Sequence, residues 1–213
     1  MSRGLAVVTG ASRGLGRELA LALAREGYDL AICARDEARL AQVGAETVSL
    51  GVKCSTFAGD LAQGLRSHRT WLSILPPIEV LINNAGYVHR LAPLEELDFP
   101  EEADSFAVNL RAPADLIRLV LPSMKERGQG TIVNICSLAG RRAIRNMAFY
   151  SASKFALRGF TEALAQEVEE YGIRCFSVSP GGMQTELRQK IFKDAAQQQH
   201  PAVVAQIIVD AIA

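Results

Sequence analysis

Apolar residues recur along the chain with two spacings. Short runs rich in β-branched residues, "LAVVT" (5–9), "DLAICA" (29–34), "VKCSTF" (52–57), "EVLIN" (79–83), "TIVNIC" (131–136) and "IRCFSVS" (173–179), predict strands. Most do not alternate apolar with polar, as expected of strands covered on both faces. Apolar positions three and four apart predict helices near 14–26, 36–48, 101–127 and 151–171, with a weaker one near 61–75. A last apolar helix pattern, "PAVVAQIIVDAIA" (201–213), opens on a proline. Strand then helix, repeated, predicts an α/β fold in which one doubly wound parallel sheet of six strands carries helices on both faces. "LPP" (75–77) ends the weak helix and "SPGGMQ" (179–184) stops the sixth strand.

With 213 residues and no low-complexity linker, the chain reads as a single domain, 1–213. Its 23 basic and 23 acidic residues cancel, which gives it no electrostatic claim on nucleic acid or an anionic membrane. The apolar runs are too short to span a bilayer, and "MSRGLAVVTG" runs directly into the first strand with no export signal. Cys33, Cys54, Cys136 and Cys175 lie in or beside strand-like runs without the short paired spacing of a metal or redox site, so they read as reduced core residues. The expected location is the cytoplasm.

Two stretches carry chemistry. The first strand runs into "TGASRGLG" (9–16) and then a helix. Gly10, Gly14 and Gly16 permit a tight turn and a close approach of backbone to ligand, and the free N–H groups of the helix favour a phosphate. In "YSASK" (150–154), Tyr150 and Lys154 fall on one helix face, one turn apart. Alone, that pair reads equally as an amphipathic rim.

Taken together, "TGASRGLG", "NNAG" (83–86), Asn109 in "VNL", Ser137 in "IVNICSLAG", "YSASK" and "PGGMQT" (180–185) come in the order of the short-chain dehydrogenase/reductase family. The chain resembles the compact one-domain branch of that family over essentially its whole length. The resemblance implies a Rossmann-like sheet and an NADP(H)-dependent oxidoreductase that interconverts a carbonyl compound and an alcohol. It implies Tyr150 as general acid and base, Lys154 as holder of the nicotinamide ribose, Ser137 as hydrogen-bond partner of the substrate oxygen, and Asn109 as holder of a water that links Lys154 to solvent. The plain alternative for Asn109 is a helix-interior asparagine satisfied by backbone. A free phenol, with a pKa of roughly 10, is a poor base at neutral pH; the Lys154 ammonium and a cationic nicotinamide ring are expected to lower it.

The remaining positions implied by the resemblance concern the dinucleotide: Gly10, Ser12, Arg13, Gly14, Leu15 and Gly16 at the phosphates, Asp60 beside the adenine with Leu61, Asn83 and Asn84 tying the sheet together and lining the adenosine ribose, Ala85 and Gly86 as further cofactor contacts, and Pro180, Gly181, Met183 and Thr185 in the turn whose Thr185 hydroxyl meets the nicotinamide carboxamide. Asp60 and Thr185 serve equally well as helix caps. In "AICARD", Ala34 stands where an NAD-type acid is expected and Arg35 follows it, with Arg13 inside the glycine turn; two guanidiniums suit a 2′-phosphate, so NADPH is expected over NADH. Asp36, one step further, reads as a helix cap. Relatives continue into a seventh strand that this sequence does not contain, and the segment 186–200 is either a substrate lid or a surface helix. Arg141, Arg142 and Arg145 either meet an acidic substrate or are solvated. Tyr87, Val88, His89, Met147 and Met183 are candidate pocket residues, and His68, His89 and His200 show no metal spacing. A homodimer through helices 101–127 and 151–171 is expected by likeness to relatives. The competing function is a nucleotide-sensing regulator on the same fold without turnover.

Overall fold

A computed structural model describes residues 2–64, 66–184 and 198–212. Thr185 and most of the segment 186–200 lie outside them. Six strands form one sheet: β1 (Leu5–Thr9), β2 (Asp29–Ala34), β3 (Cys54–Ala58), β4 (Ile78–Asn83), β5 (Gly130–Ile135) and β6 (Ile173–Val178). Their order is β3-β2-β1-β4-β5-β6, and all neighbours run parallel. The chain crosses from one half-sheet to the other between β3 and β4, which is where open parallel sheets bind ligands.

Alternate residues of each strand feed two cores, as the period of two requires. Ala6, Val8 and Ile32 pack with Leu19 and Leu23 of α1 (Gly14–Arg25), Leu40 of α2 (Glu37–Ser49) and Ile208 of the last described helix. Leu5, Val7 and Cys33 face the other way, onto Trp71 of α3 (Arg66–Ser73), Leu116 of α5 (Ala112–Arg127) and Leu164 of α6 (Ala148–Val168). The last helix, α7 (Pro201–Ile212), lies against α1 with Val204, Ala205 and Ile208 buried.

Two predicted elements differ from the observed ones. The helix expected over 61–75 is a turn of 3-10 helix, Leu61–Gln63, followed by the shorter α3. The helix expected over 101–127 is three pieces: α4 (Phe99–Phe106), a π-helical turn at Ala107–Arg111, and α5. The inserted residue of a π turn shifts the apolar stripe without breaking it, so hydrophobic spacing reads straight through.

Candidate active site

The ends of β1, β2, β3, β4 and β5 open into one cleft of about 520 Å³, within the usual range for a cofactor site. Its floor is locked where β1 meets β4. The Thr9 hydroxyl accepts the N–H groups of Asn84 at 3.0 Å and Ala85 at 2.9 Å, and the Asn84 amide donates back to the Thr9 carbonyl at 2.9 Å. Gly10 takes φ 66°, and a Cβ there would sit 2.8 Å from the Ala85 Cα. A Cβ on Gly16 would overlap the Gly10 carbonyl. Glycine at these two positions lets the turn fold tightly against β4.

Gly14, Leu15 and Gly16 open α1 and line the cleft. No side chain caps this helix from Arg13, and no acid occupies its first turn. Its first N–H groups and the positive end of its dipole therefore meet the cleft without a competing carboxylate, a donor set that fits a pyrophosphate. Ser12, Arg13, Ala34, Arg35, Asp60, Leu61, Ala85 and Gly86 line the same cleft. The Asp60 carboxylate accepts the Ala62 N–H at 3.0 Å, so it caps the following turn and still borders the cleft. Asp36 caps α2 through the Arg39 N–H at 3.0 Å, two residues beyond the strand end and one beyond Arg35.

Arg39, unnoticed in the sequence, adds a cation to this end. It lies in the first turn of α2, four residues after Arg35. Its guanidinium lies 3.4 Å from the Asp36 carboxylate and borders a bay that shares Ser12, Arg13 and Gly14 with the main cleft. Asn83, by contrast, sits below the cleft lining. Its amide donates to Asn134 at 2.8 Å, and Asn134 donates to Thr161 at 2.9 Å, which ties β4 to β5 and β5 to α6.

At the opposite end, Ser137 follows β5 and caps the turn Leu138–Gly140, accepting the Ala139 N–H at 3.2 Å. A Cβ on Gly140 would lie 2.8 Å from the Lys154 carbonyl oxygen, so glycine brings this turn onto α6. The Ser137 hydroxyl there lies near enough to the Tyr150 phenol to favour its ionised form, although Ser137 itself does not line the cleft. Lys154 is buried, and its ammonium donates to the Ile135 carbonyl at 2.9 Å. Tyr150, Lys154, Ile135 and Cys136 all border the cleft, which corrects the reading of Cys136 as core alone.

Burial raises the Tyr150 phenol above its ordinary value, the hydrogen bond from Ser137 opposes that rise, and the Cys136 thiol adds to it. Burial likewise pushes the Lys154 ammonium down to about 8, opposed by Cys136. The lowered phenol expected from the lysine is therefore not what the chain alone produces: desolvation is the stronger effect on both groups. At neutral pH Tyr150 is a protonated acid.

Asn109 lies in the π turn, fully buried. Its side-chain oxygen accepts the Tyr87 N–H at 2.9 Å, and its amide donates to the Tyr87 carbonyl at 2.8 Å and the Ser153 hydroxyl at 3.0 Å. The side chain is thus committed to holding Tyr87 and Ser153, and a water relay from Lys154 would use another atom of that turn. Tyr87 and Met183 line the cleft, whereas Val88 does not and His89 and Met147 are buried behind it. The Pro180 carbonyl accepts the Leu138 N–H at 3.1 Å, so the turn after β6 braces the turn after Ser137; neither Pro180 nor Gly181 lines the cleft. Arg141, Arg142 and Arg145 are exposed, with no carboxylate partner among the described residues. No group of three metal-ligating side chains occurs among the described residues.

A glycine turn at the sheet's crossover point and, at the far end of the same cleft, Tyr150 and Lys154 with Ser137 beside them come together as the sequence motifs suggest. The family model for short chain dehydrogenases matches residues 4–196, and the chain belongs to that family. It is 36% identical over 189 residues to a short chain dehydrogenase from Pseudocercospora fijiensis, covering 85% of this chain and 60% of the relative. It is 34% identical to gluconate 5-dehydrogenase from Gluconobacter oxydans, covering 91% of this chain and 77% of that one. The chain thus spans less than two thirds of the fungal relative's length. Among solved structures, a metagenomic short-chain oxidoreductase in complex with NADP superposes with a TM-score of 0.86 at 33% identity, covering 99% of this chain and 91% of that one. A short-chain dehydrogenase from Sphingobium yanoikuyae in complex with NADPH gives 0.91 at 27% identity, covering 98% of this chain and 84% of that one.

Proposed function

We propose that the chain is an NADP(H)-dependent oxidoreductase that interconverts a carbonyl compound and an alcohol, with Tyr150 as the proton donor in reduction and acceptor in oxidation. The observation that carries this reading is that Tyr150 and the buried Lys154 border the same cleft as the glycine turn, with the Ser137 hydroxyl near enough to the phenol to act on its ionisation. When bound, the reduced dinucleotide supplies a hydride to the carbonyl carbon. The chain supplies the rest. The Ser137 hydroxyl donates to the carbonyl oxygen and steadies the charge that grows there. The phenol, held protonated by burial, gives its proton to that oxygen, and solvent returns one to the phenolate. Lys154 would hold the ribose hydroxyls of the bound dinucleotide and would offset the phenolate's charge.

Arg35, Arg13 and Arg39 gather at the adenosine end, with Ala34 in place of an acid; this set favours a 2′-phosphate and hence NADPH. The complexes of two solved relatives with NADP and NADPH agree in kind. The cytoplasm suits the four free thiols, and no described helix is long and apolar enough to cross a membrane. For a homodimer, α6 offers Ala152, Phe155, Gly159 and Ala163 as one exposed, uncharged face, with open space over Gly159.

Anaerobic incubation with NADPH and a panel of ketones, aldehydes and quinones, followed by the cofactor's absorbance, tests the reading. Substrate-dependent oxidation of NADPH is expected. Tight NADPH binding with no turnover across the panel favours the competing reading, a nucleotide sensor.

A further inference from the structure

α6 begins without a cap of its own. The residue at its N-cap position is Met147, whose side chain makes no capping bond. The first N–H groups of a helix need acceptors, and a long helix that lacks them frays at that end. Here the end is the site, because Tyr150 is the third residue of α6.

An acceptor arrives from far along the chain. His89, buried to 1% exposure in the loop after β4, places its Nε2 at 3.4 Å from the Tyr150 backbone nitrogen. Its Nδ1 lies 2.6 Å from the Arg90 carbonyl oxygen. A carbonyl can only accept, so Nδ1 carries the proton and Nε2 presents a lone pair to the Tyr150 N–H. The Phe149 ring packs against the imidazole at 6.3 Å between centroids, edge to face. On its other side, the Tyr150 carbonyl accepts the Ser153 hydroxyl at 2.8 Å, and Ser153 is bonded in turn by Asn109, which grips Tyr87. The peptide groups of Tyr150 are thus bound twice to the segment 87–90, once through His89 and once through Ser153 and Asn109.

We propose that His89 is a positioning residue for Tyr150: as a neutral Nδ1–H imidazole it caps α6 from the loop after β4 and holds the phenol at Ser137. This rests on the reading of Tyr150 as the proton donor. An imidazolium at the same place would set a donor against the Tyr150 N–H and a positive charge against the positive end of a helix. The charged groups facing His89 are the Glu101 carboxylate on α4, which interacts with it electrostatically, and the Arg90 guanidinium beside it, which pairs with Glu101.

The first test needs no turnover. In ¹⁵N-labelled protein, the His89 ring signals, assigned by their loss in His89→Gln, are expected to show a protonated Nδ1 and a bare Nε2 at neutral pH. A protonated Nε2 would overturn the proposal whatever the enzyme does. The second test uses NADPH oxidation with a substrate found in the panel. His89→Leu should lower kcat about tenfold or more while NADPH binding stays within about twofold, and His89→Gln, whose side-chain oxygen reaches the same N–H, should restore most of the loss. Equal kcat in wild type and the leucine variant, or equal loss in both variants when thermal melts show them folded, defeats the assignment. Should the leucine variant fail to fold, the ring signals and the glutamine variant decide. Absence of turnover in the wild type itself counts against the oxidoreductase reading and leaves the ring signals to judge His89.

Discussion

The ammonium of Lys154 and the carbonyl oxygen of Ile135 lie 2.9 Å apart, which anchors the cation of α6 to the strand that delivers Ser137. Lys154 is held by backbone and by burial, and no ion pair to it occurs among the described residues. It carries a cost as well as a role.

That cost has a sign. The Lys154 pKa is pushed down from 10.5 to about 8, so between those values the folded chain binds fewer protons than the unfolded chain, and stability rises with pH across that window. Below it, the buried ammonium costs on the order of 3 kcal/mol. Lys154→Met should therefore melt higher than wild type at neutral pH, with the gap closing as pH rises from about 8 to 10.5, while NADPH turnover disappears. Thermal melts across a pH series check this; a methionine variant that is less stable at neutral pH would mean the bond to Ile135 outweighs desolvation.

Tyr150→Phe removes the transferable proton and little of the dinucleotide contact. NADPH binding should persist in titration calorimetry while reduction falls by at least about a thousandfold, the combined worth of an acid and an oriented hydrogen bond. Since burial raises the phenol, wild-type reduction should stay level through neutral pH and decline only on the alkaline side. A decline beginning near neutrality would show that the bound cofactor lowers the phenol far more than burial raises it.

Arg35 and Arg13 border the cleft where Ala34 leaves room for a phosphate. Charge-assisted hydrogen bonds contribute about 1.5–3 kcal/mol each, so Arg35→Ala should weaken NADPH binding by about tenfold to a hundredfold and leave NADH nearly unchanged. Arg13→Ala should show a smaller selective loss. Titration of both cofactors separates this from a general role: a variant that loses both alike holds the shared dinucleotide, not the extra phosphate.

Asn83, Asn134 and Thr161 form a buried chain of hydrogen bonds. Asn134→Leu strands the Asn83 amide, whose oxygen already lacks a protein partner. A stranded buried polar group costs about 1–3 kcal/mol. Chemical denaturation should show a loss of this size with an unchanged m value, and Asn83→Leu added to Asn134→Leu should recover part of it.

Gly159→Arg places a long cation on the exposed face of α6, where a Cβ meets nothing within 4 Å. The monomer should fold with an unchanged melting temperature, and sedimentation should shift from dimer to monomer. An unaltered dimer would move the interface off α6.

Much of this was legible in the sequence because local signals and tertiary demands agree. The six runs of β-branched residues became six strands, and Tyr150 and Lys154 share a helix face because a period near 3.6 requires it. The π turn escaped notice because one inserted residue leaves the apolar stripe readable, yet it is what turns Asn109 toward Tyr87. His89 looked like a pocket residue, since nothing in a sequence tells which helix end lies beside a loop 61 residues away. Burial of Tyr150 and Lys154 is illegible for a related reason: a neighbouring lysine is visible in a string of letters, while the removal of water around both groups is a property of the packed molecule.

The crossover between β3 and β4 also governs how the molecule comes into being. As the chain emerges from synthesis, the glycine turn and the arginines after β2 are complete while β1 still presents an unpaired edge, because β4 has yet to appear. An open edge of apolar strand is an aggregation hazard, and every neighbour in this sheet is joined by a crossover, never by a hairpin. The half-sheet β3-β2-β1 therefore keeps that edge open until residues 78–83 reach it.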